Sequence, residues 1–316
     1  MHIGIIDFLF RKQDVTLAKS LAYCQQRVLA AEHAGYQRFW FGEHYGTPLM
    51  EGTSPLLMMA NMGSSTRSMR LGTGALLLAY QNIEKLKTDL KVLSYQCMSG
   101  IDLGLGKAPG TSDRTLMAKL NYQSVSAEWH QILDDLSQWS AVHNEQLGID
   151  GHVQLFPLTA SLKSAAHSTG HEFCYAHFIN PLSSVNTEKI PSNIKKVAFF
   201  VSTSEDEEEL HLLKKLNHLI LGEMEFDLGL PEIPKKRGLS SFQLTDQIKN
   251  KQDFYNAKSL VGNRESLKEK FKQLMNTYEV DELLLMPVHY DSELEIEMIS
   301  TLGEIARELQ TVKATV

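Results

Sequence analysis

The sequence predicts an α/β chain folded as one (β/α)8 barrel of the TIM type over residues 1–316, with a long loop inserted near the C-terminal third. Three observations carry this. Short, continuous apolar runs alternate with helical stripes, the pattern of parallel strands buried on both faces and joined by crossover helices. About four such units fit into the first hundred residues, and about eight strands with as many helices into the whole chain. No linker-like change of composition divides the 316 residues, and barrels routinely exceed the usual domain length. A doubly wound open sheet is the alternative that periodicity leaves open.

The elements follow in order. "HIGIIDFLF" is a first buried strand, and Leu17, Leu21, Cys24, Val28 and Ala31 form a helical stripe that ends before Gly35. "RFWFGEH" is the second strand, because Phe39, Trp40 and Phe41 are strong β formers suited to a barrel wall. Ser54 and Pro55 read as the cap and first turn of "PLLMMANMGSST". "RLGTGALLL" is a third strand. The helix "NIEKLKTDLKVLSYQ" follows, with Ile83, Leu86, Leu90 and Leu93 on one face, and then the strand "GIDLGLG". Trp129, Ile132, Leu136 and Trp139 mark another helix, with Ser126 as its candidate cap. The strand candidates "HVQLFPL" and "EFCYAHFI" flank a short helical segment. "KKVAFFVST" is a strand, and "SEDEEELHLLKKLNHLI" a helix with acids in its first turn, where the helix dipole favours them. Gly222 to Ser241 is rich in Gly, Pro and Lys and reads as a long loop, of the kind that serves as a lid. Leu267, Phe271, Leu274 and Tyr278 give a last long helix before the strand "DELLLMPVH".

Composition excludes several classes. A net charge of -7 leaves no basic face for nucleic acid. Cys24, Cys97 and Cys174 have neither metal nor disulfide spacing and read as buried thiols of a reducing compartment. "MHIGIIDFLFRK" is too short and too soon charged for a secretory signal, and no apolar run reaches membrane length. A cytoplasmic location is expected. None of the 12 histidines repeats at helical spacing with acids, so no metal site is expected.

In a barrel, chemistry gathers at the C-terminal ends of the strands. Asp7, Glu43 and His44, Gly72 to Ala75, and Gly104 to Pro109 all fall there. His44 is either a reacting group or a hydrogen-bonded strand-end histidine. Glu43, its neighbour, points the opposite way along a strand and reads as the partner of an arginine. The glycines of "LGTGALLL" and "LGLGKAPG" permit close backbone approach to a flat or phosphorylated ligand. Their spacing is not that of a dinucleotide fingerprint. Lys107 is either a phosphate ligand or a plain surface lysine. Thr159 and Ser161 of "LTASLKSAA" precede a possible helix N-terminus, an anion site if the segment is helical.

Taken together, "AAEHAGYQRFWFGEHYGTP", "SPLLMMANMGSSTRSMRLGTGALLL" and "IDLGLGKAPGTSDRT" resemble the bacterial luciferase-like family of flavin-dependent monooxygenases. "LVGNRESLKEKFKQLMNTYEVDELLLMPVHYD" resembles the family's final helix and strand, while residues 116–259 match only loosely. The resemblance implies a barrel that binds FMN, reduced by a separate NAD(P)H:flavin reductase, and uses O2 to oxidise a small organic substrate. It also implies a homodimer or a related heterodimer. His44 matches the family's first histidine beside the flavin ring. Gly74 and Ala75 fall where members often have a non-proline cis peptide under the ring. Gly106 lies in the glycine loop, and Lys107 falls where a basic residue meets the FMN phosphate. Thr159 and Ser161 fall near the phosphate-binding strand end.

The sequence also departs from the family's pattern. Tyr45 replaces a second histidine, Thr88 lies in a helix that lacks the usual glutamate, and Gly106 stands where luciferase itself has a reactive cysteine. These changes keep open a non-catalytic flavin-binding protein or partner subunit. The lysine and glycine loops taken alone also permit a flavin-free barrel enzyme acting on a phosphorylated metabolite.

Overall fold

Eight parallel strands close into a barrel in the computed structural model, which describes residues 2–51, 54–111, 113–166, 170–181, 190–280 and 282–314. In chain order β1 (His2–Asp7) leads to α1 (Leu17–His33), β2 (Arg38–Phe41) to α2 (Pro55–Met62), and β3 (Arg70–Leu77) to α3 (Ile83–Gln96). Next, β4 (Ile101–Gly106) precedes α4 (Arg114–Met117), α5 (Tyr122–Ala127) and α6 (Trp129–Leu147). Then come β5 (Val153–Thr159), α7 (Leu162–Ala166), β6 (Phe173–Ala176), β7 (Ile194–Thr203) and α8 (Glu207–Phe226). The final part holds α9 (Lys236–Ser241), α10 (Asp246–Lys249) and α11 (Gln252–Lys258). After these come β8 (Ser259–Gly262), α12 (Arg264–Tyr278), β9 (Glu282–Pro287) and α13 (Ser292–Ala314). The strand expected from Asp281 is β9, with residue 281 itself outside the described residues.

The ring runs β1 to β7 in sequence, then β9, which pairs with both β7 and β1. This closure rules out the open sheet. The short β8 stands apart from the ring. It pairs with Phe200–Thr203 of β7, along the edge that β6 leaves after Ala198. Four residues carry too little periodicity to announce such a strand in sequence.

Local chemistry sets most helix starts. Thr16, Asn82, Asp206 and Asn263 each accept a backbone N–H in the first turn of α1, α3, α8 and α12. Glu207, Glu208 and Glu209 open α8 as expected. Two expected caps differ. Ser54 stands at the cap position before Pro55 but makes no side-chain bond. Ser126 lies inside α5, and α6 starts instead from Glu128, without a side-chain cap.

Side chains alternate across the barrel wall, as strand geometry requires. Phe39 and Phe41 pack outward in the core shared with the helices, whereas Trp40 belongs to the inner cluster with Ile6, Phe156, Ala198 and Leu284. Gly72 and Gly74 make room for this indole. A Cβ would lie 2.6 Å from Trp40 Cδ1 at Gly72, and 3.0 Å from Trp40 Cβ at Gly74.

Beneath the indole, the barrel floor is ionic. Arg38 donates to Glu282 at 2.6 Å and to Asp102, while Lys196 reaches Glu282 at 2.7 Å. Arg70 and Trp40 donate to Asp102 at 2.7 and 2.9 Å. Burial alone would raise the Asp102 carboxyl, but the guanidinium groups of Arg38 and Arg70 hold it below the ordinary range.

The expected lid is a packed structural segment. Gly222 to Phe226 continue α8, Leu230, Ile233 and Leu239 are buried, and Lys236–Ser241 form α9. Ile233 accepts a hydrogen bond from Gln13 N and donates to Arg11 O. Three apolar anchors spaced among the Gly, Pro and Lys residues override the loop-like composition.

His177, just past β6, ties that strand to the last helices. One ring nitrogen meets the Tyr278 hydroxyl and the other lies 2.8 Å from Ala257 O. Burial pushes its pKa down to about 4. A lowered histidine contributes stability that is present above its unfolded value of 6.5 and is lost as pH falls toward 4. Unfolding near pH 5 should therefore take up about one proton at this residue. In His177→Gln the fall of the denaturation midpoint between pH 6.5 and 4 should be shallower, and an unchanged slope would discount it.

Candidate functional site

The mouth of the barrel is built where strands of unequal length end. β2 pairs with β3 only as far as Phe41 and Thr73, whereas β3 continues to Leu77. Glu43 fills the gap. It is 4% exposed, accepts the Leu77 N–H at 2.7 Å, and accepts from the Tyr45 hydroxyl. The arginine partner expected for Glu43 is absent from these bonds, because Arg38 and Arg70 are committed to the floor. Burial raises the Glu43 pKa, against the two hydrogen bonds it accepts.

Between Thr73 and Leu76 the register of β3 shifts against β4, and the Gly74–Ala75 peptide is cis, as the resemblance implies. Gly74 is buried, and Ala75 is half-buried at the mouth. Gly106 ends β4 opposite Leu77. A Cβ there would come within 2.9 Å of both Ala75 Cβ and Leu77 Cδ2. Its missing side chain thus answers to the close approach of β3 rather than leaving an open cradle.

His44 is half-buried, and its Nδ1 is buried without a hydrogen-bond partner among the described residues. Burial lowers its pKa from the ordinary 6.5, so the ring is neutral at pH 7. A buried polar atom without a partner is uncommon and marks a place where a ligand or reacting group can complete the bonding.

A cleft of about 290 Å³ lies where β4 and β5 end, lined by the polar Lys107, His130, Thr159, Lys163 and Ser164 and the apolar Trp129, Leu158 and Phe173. It brings Lys107 and Thr159 together, whereas His44, Gly74, Ala75, Gly106 and Ser161 are not among its walls. The expected helix N-terminus is α7, only five residues long. Ser161 caps it by accepting Ser164 N–H at 3.2 Å, and the Thr159 hydroxyl accepts Ser161 N–H at 3.0 Å. Ser161 is therefore a cap. Lys163 and Ser164 went unnoticed in the sequence, although they stand in the same "TASLKS" stretch.

These residues fit FMN on two counts: a cleft rimmed by two lysines suits a phosphate, and the orphaned Nδ1 suits a polar group at the mouth. Among the described residues no group of three or more His, Cys, Asp or Glu is placed to hold a metal, and no helix is long and apolar enough to cross a membrane.

Residues 1–136 match the family described as luciferase-like monooxygenase, which bears out the resemblance read from the sequence. YceB, an uncharacterized protein of Bacillus subtilis strain 168, is 24% identical over 96% of this chain and 99% of its own. The N-acetyl-S-alkylcysteine monooxygenase of the same organism is 28% identical over 57% of this chain and 58% of its own. Among solved structures, apo-MsnO8 superposes with a TM-score of 0.80 at 20% identity, covering 97% of this chain and 98% of that one. The oxygenating constituent of 3,6-diketocamphane monooxygenase of Pseudomonas putida, solved with FMN, gives 0.61 at 14% identity, with 96% and 97% covered. An F420-dependent secondary alcohol dehydrogenase gives 0.62 at 11% identity, with 95% and 97% covered. These likenesses establish the barrel. The matched family is described as monooxygenases, and of these neighbours one is solved with FMN and another is F420-dependent.

Proposed function

We propose, for a barrel whose first 136 residues match the luciferase-like monooxygenases, that this protein is an FMN-dependent monooxygenase of two-component type. It takes reduced flavin from a separate NAD(P)H:flavin reductase, and with O2 it oxidises a small organic substrate. The observation that carries the reading is the buried, unpartnered Nδ1 of His44 at the mouth of the barrel.

Bound there, FMN would supply the electrons that make one oxygen atom of O2 transferable. The chain's own residues do the rest. Lys107, Lys163 and Thr159 hold the phosphate, and Gly74 and Ala75 offer a flat stretch of backbone to the ring. His44, neutral at pH 7, accepts a proton at Nδ1 and returns it. Phe8, Phe178 and Phe200, which pack ring to ring, keep water from the reacting atoms. A homodimer or related heterodimer belongs to the same reading. The exposed Leu57, Val92, Tyr95 and Met98 on and beside α2 and α3 form the apolar face that such pairing would cover. The three buried free thiols accord with a cytoplasmic location.

The test supplies chemically reduced FMN, O2 and a panel of small thioethers, ketones and aldehydes to the purified chain. Oxygenated product supports the reading. Hydrogen peroxide alone, at every substrate offered, favours the flavin-binding subunit. Thr88, exposed on α3 with its hydroxyl turned back to Glu84 O, is the observation on that side. NADPH without a reductase should leave bound FMN oxidised, and rapid bleaching would contradict the two-component assignment.

Lys107→Ala should weaken FMN about ten- to a hundredfold while leaving riboflavin nearly unchanged, as expected for one charge-assisted contact of about 1.5–3 kcal/mol. Fluorescence titration of both ligands decides it. Equal losses would remove Lys107 from the phosphate.

A further inference from the structure

His44 lies between two residues that are bonded to each other. The Tyr45 hydroxyl donates to Glu43, whose other carboxylate oxygen takes the Leu77 N–H at 2.7 Å. Tyr45 also reaches the opposite way. Its N–H donates to Gly110 O at 2.8 Å, and its ring lies 4.4 Å from that of Tyr80. The Tyr80 hydroxyl in turn donates to Pro109 O at 3.0 Å. The next residue, Gly46, adopts φ +77, and a Cβ there would meet Thr111 Oγ1 at 2.3 Å.

These contacts span three parts of the mouth. One end is the exit of β3, just beyond the cis Gly74–Ala75 peptide. The other is the loop after β4, which begins with Lys107. Between them, the chain past Phe41 has parted from β3; Gly42 N–H still bonds Asp7 O of β1 at 2.9 Å, and His44 follows beyond that last ladder bond. The bond between side chains 43 and 45 puts both on one side of the backbone and leaves residue 44 to face the other way.

We infer that Tyr45 is a positioning residue: joined to Glu43, it clamps the loop that carries His44 against both the β3 exit and the Lys107 loop. The inference rests on the reading of His44 and Lys107 given under Proposed function. It recasts Tyr45, which the resemblance marks as a departure, as part of the site. The ring keeps the aromatic contact with Tyr80, and the hydroxyl supplies the second donor that a buried carboxylate needs. Without that donor, Glu43 keeps one bond, its anchor on the β3 exit is no longer joined to the anchor of Tyr45 on the Lys107 loop, and the His44 ring gains water.

The test follows the His44 imidazole by NMR as pH is varied, in the protein without flavin, together with FMN and riboflavin titrations. The variants are Tyr45→Phe and Glu43→Gln. Tyr45→Phe keeps the ring and removes only the hydroxyl. It should move the His44 titration up toward the ordinary histidine value and weaken FMN about three- to tenfold. Glu43→Gln keeps an acceptor for Leu77 N–H and a partner for Tyr45, and should stay close to the wild type in both. A His44 titration unchanged by Tyr45→Phe overturns the inference, whatever happens to the melting temperature. Should Tyr45→Phe not fold, hydrogen exchange in the wild type decides. The Leu77 and Tyr45 amides should exchange as slowly as those within β3, and fast exchange overturns the clamp. Absence of FMN binding in the wild type would sink the proposed function instead, and the His44 titration would still judge the clamp.

Discussion

Arg38→Met is expected to lower the stability of the protein by about 3–5 kcal/mol, read as a fall in the urea midpoint. Arg38 is the only side chain of the described floor network that touches both carboxylates, Asp102 and Glu282. Methionine fills much of the same volume, so little of the loss would come from packing. The loss comes from leaving buried charge undercompensated. Among the described residues, Glu282 would keep only Lys196, and Asp102 only Arg70 and the Trp40 indole. Arg38→Lys should rescue little, because one ammonium point charge cannot span two carboxylates as a planar guanidinium does. The floor lies at the N-terminal ends of the strands and the proposed site at their C-terminal ends. The folded fraction of Arg38→Met should therefore bind FMN with nearly unchanged affinity. A loss below about 1 kcal/mol would mean that water or rearrangement already compensates these charges.

That network shows where sequence reading stops. Arg38, Arg70, Asp102, Lys196 and Glu282 stand on five different strands, and no local pattern joins residues so far apart. The glycines had the same ambiguity. "LGTG" invites a ligand in sequence, but Gly72 and Gly74 make room for Trp40, a contact that exists only once β2 and β3 pair. Legible from the start were the features that depend on neighbours in the chain. These include the apolar runs of β1 to β4, the acidic first turn of α8, the helical stripe of α12 and the resemblance that located the cis peptide at Gly74–Ala75. The segment from Gly222 to Ser241 failed for the opposite reason. Its composition is that of a loop, but Leu230, Ile233 and Leu239 pack into the inner cluster and the Ile233 backbone bonds the distant Arg11 and Gln13. Of the residues read as phosphate ligands in the sequence, Lys107 and Thr159 share a cleft. Lys163 was passed over because a lysine in a short helix looks like any surface lysine until β4 and β5 bring it beside Lys107.

His44→Ala is expected to cut turnover about a hundredfold or more while leaving the fold and FMN affinity almost unchanged. An imidazole whose Nδ1 has no hydrogen-bond partner gives up little stability when removed, so the melting temperature should stay nearly constant. Turnover is different, because a proton must be handled in a pocket closed to water, and no other histidine is placed at that point in the mouth by both the strand-end argument and the family resemblance. The pH dependence gives the sign. Burial holds the His44 pKa below 6.5, so the neutral ring is present at pH 7 and is lost as pH falls through that lowered value. The wild-type rate should therefore fall on the acid side, below pH 6.5, and this limb should vanish in His44→Ala. With the base gone, reducing equivalents should appear as hydrogen peroxide in place of product. A structural histidine would give the reverse pattern: a lower melting temperature, a mild loss of rate and an intact acid limb. Should the wild-type protein bind FMN and oxidise nothing that is offered, His44 would have no proton to move, and the chain would be a flavin-binding subunit that keeps the barrel without the chemistry.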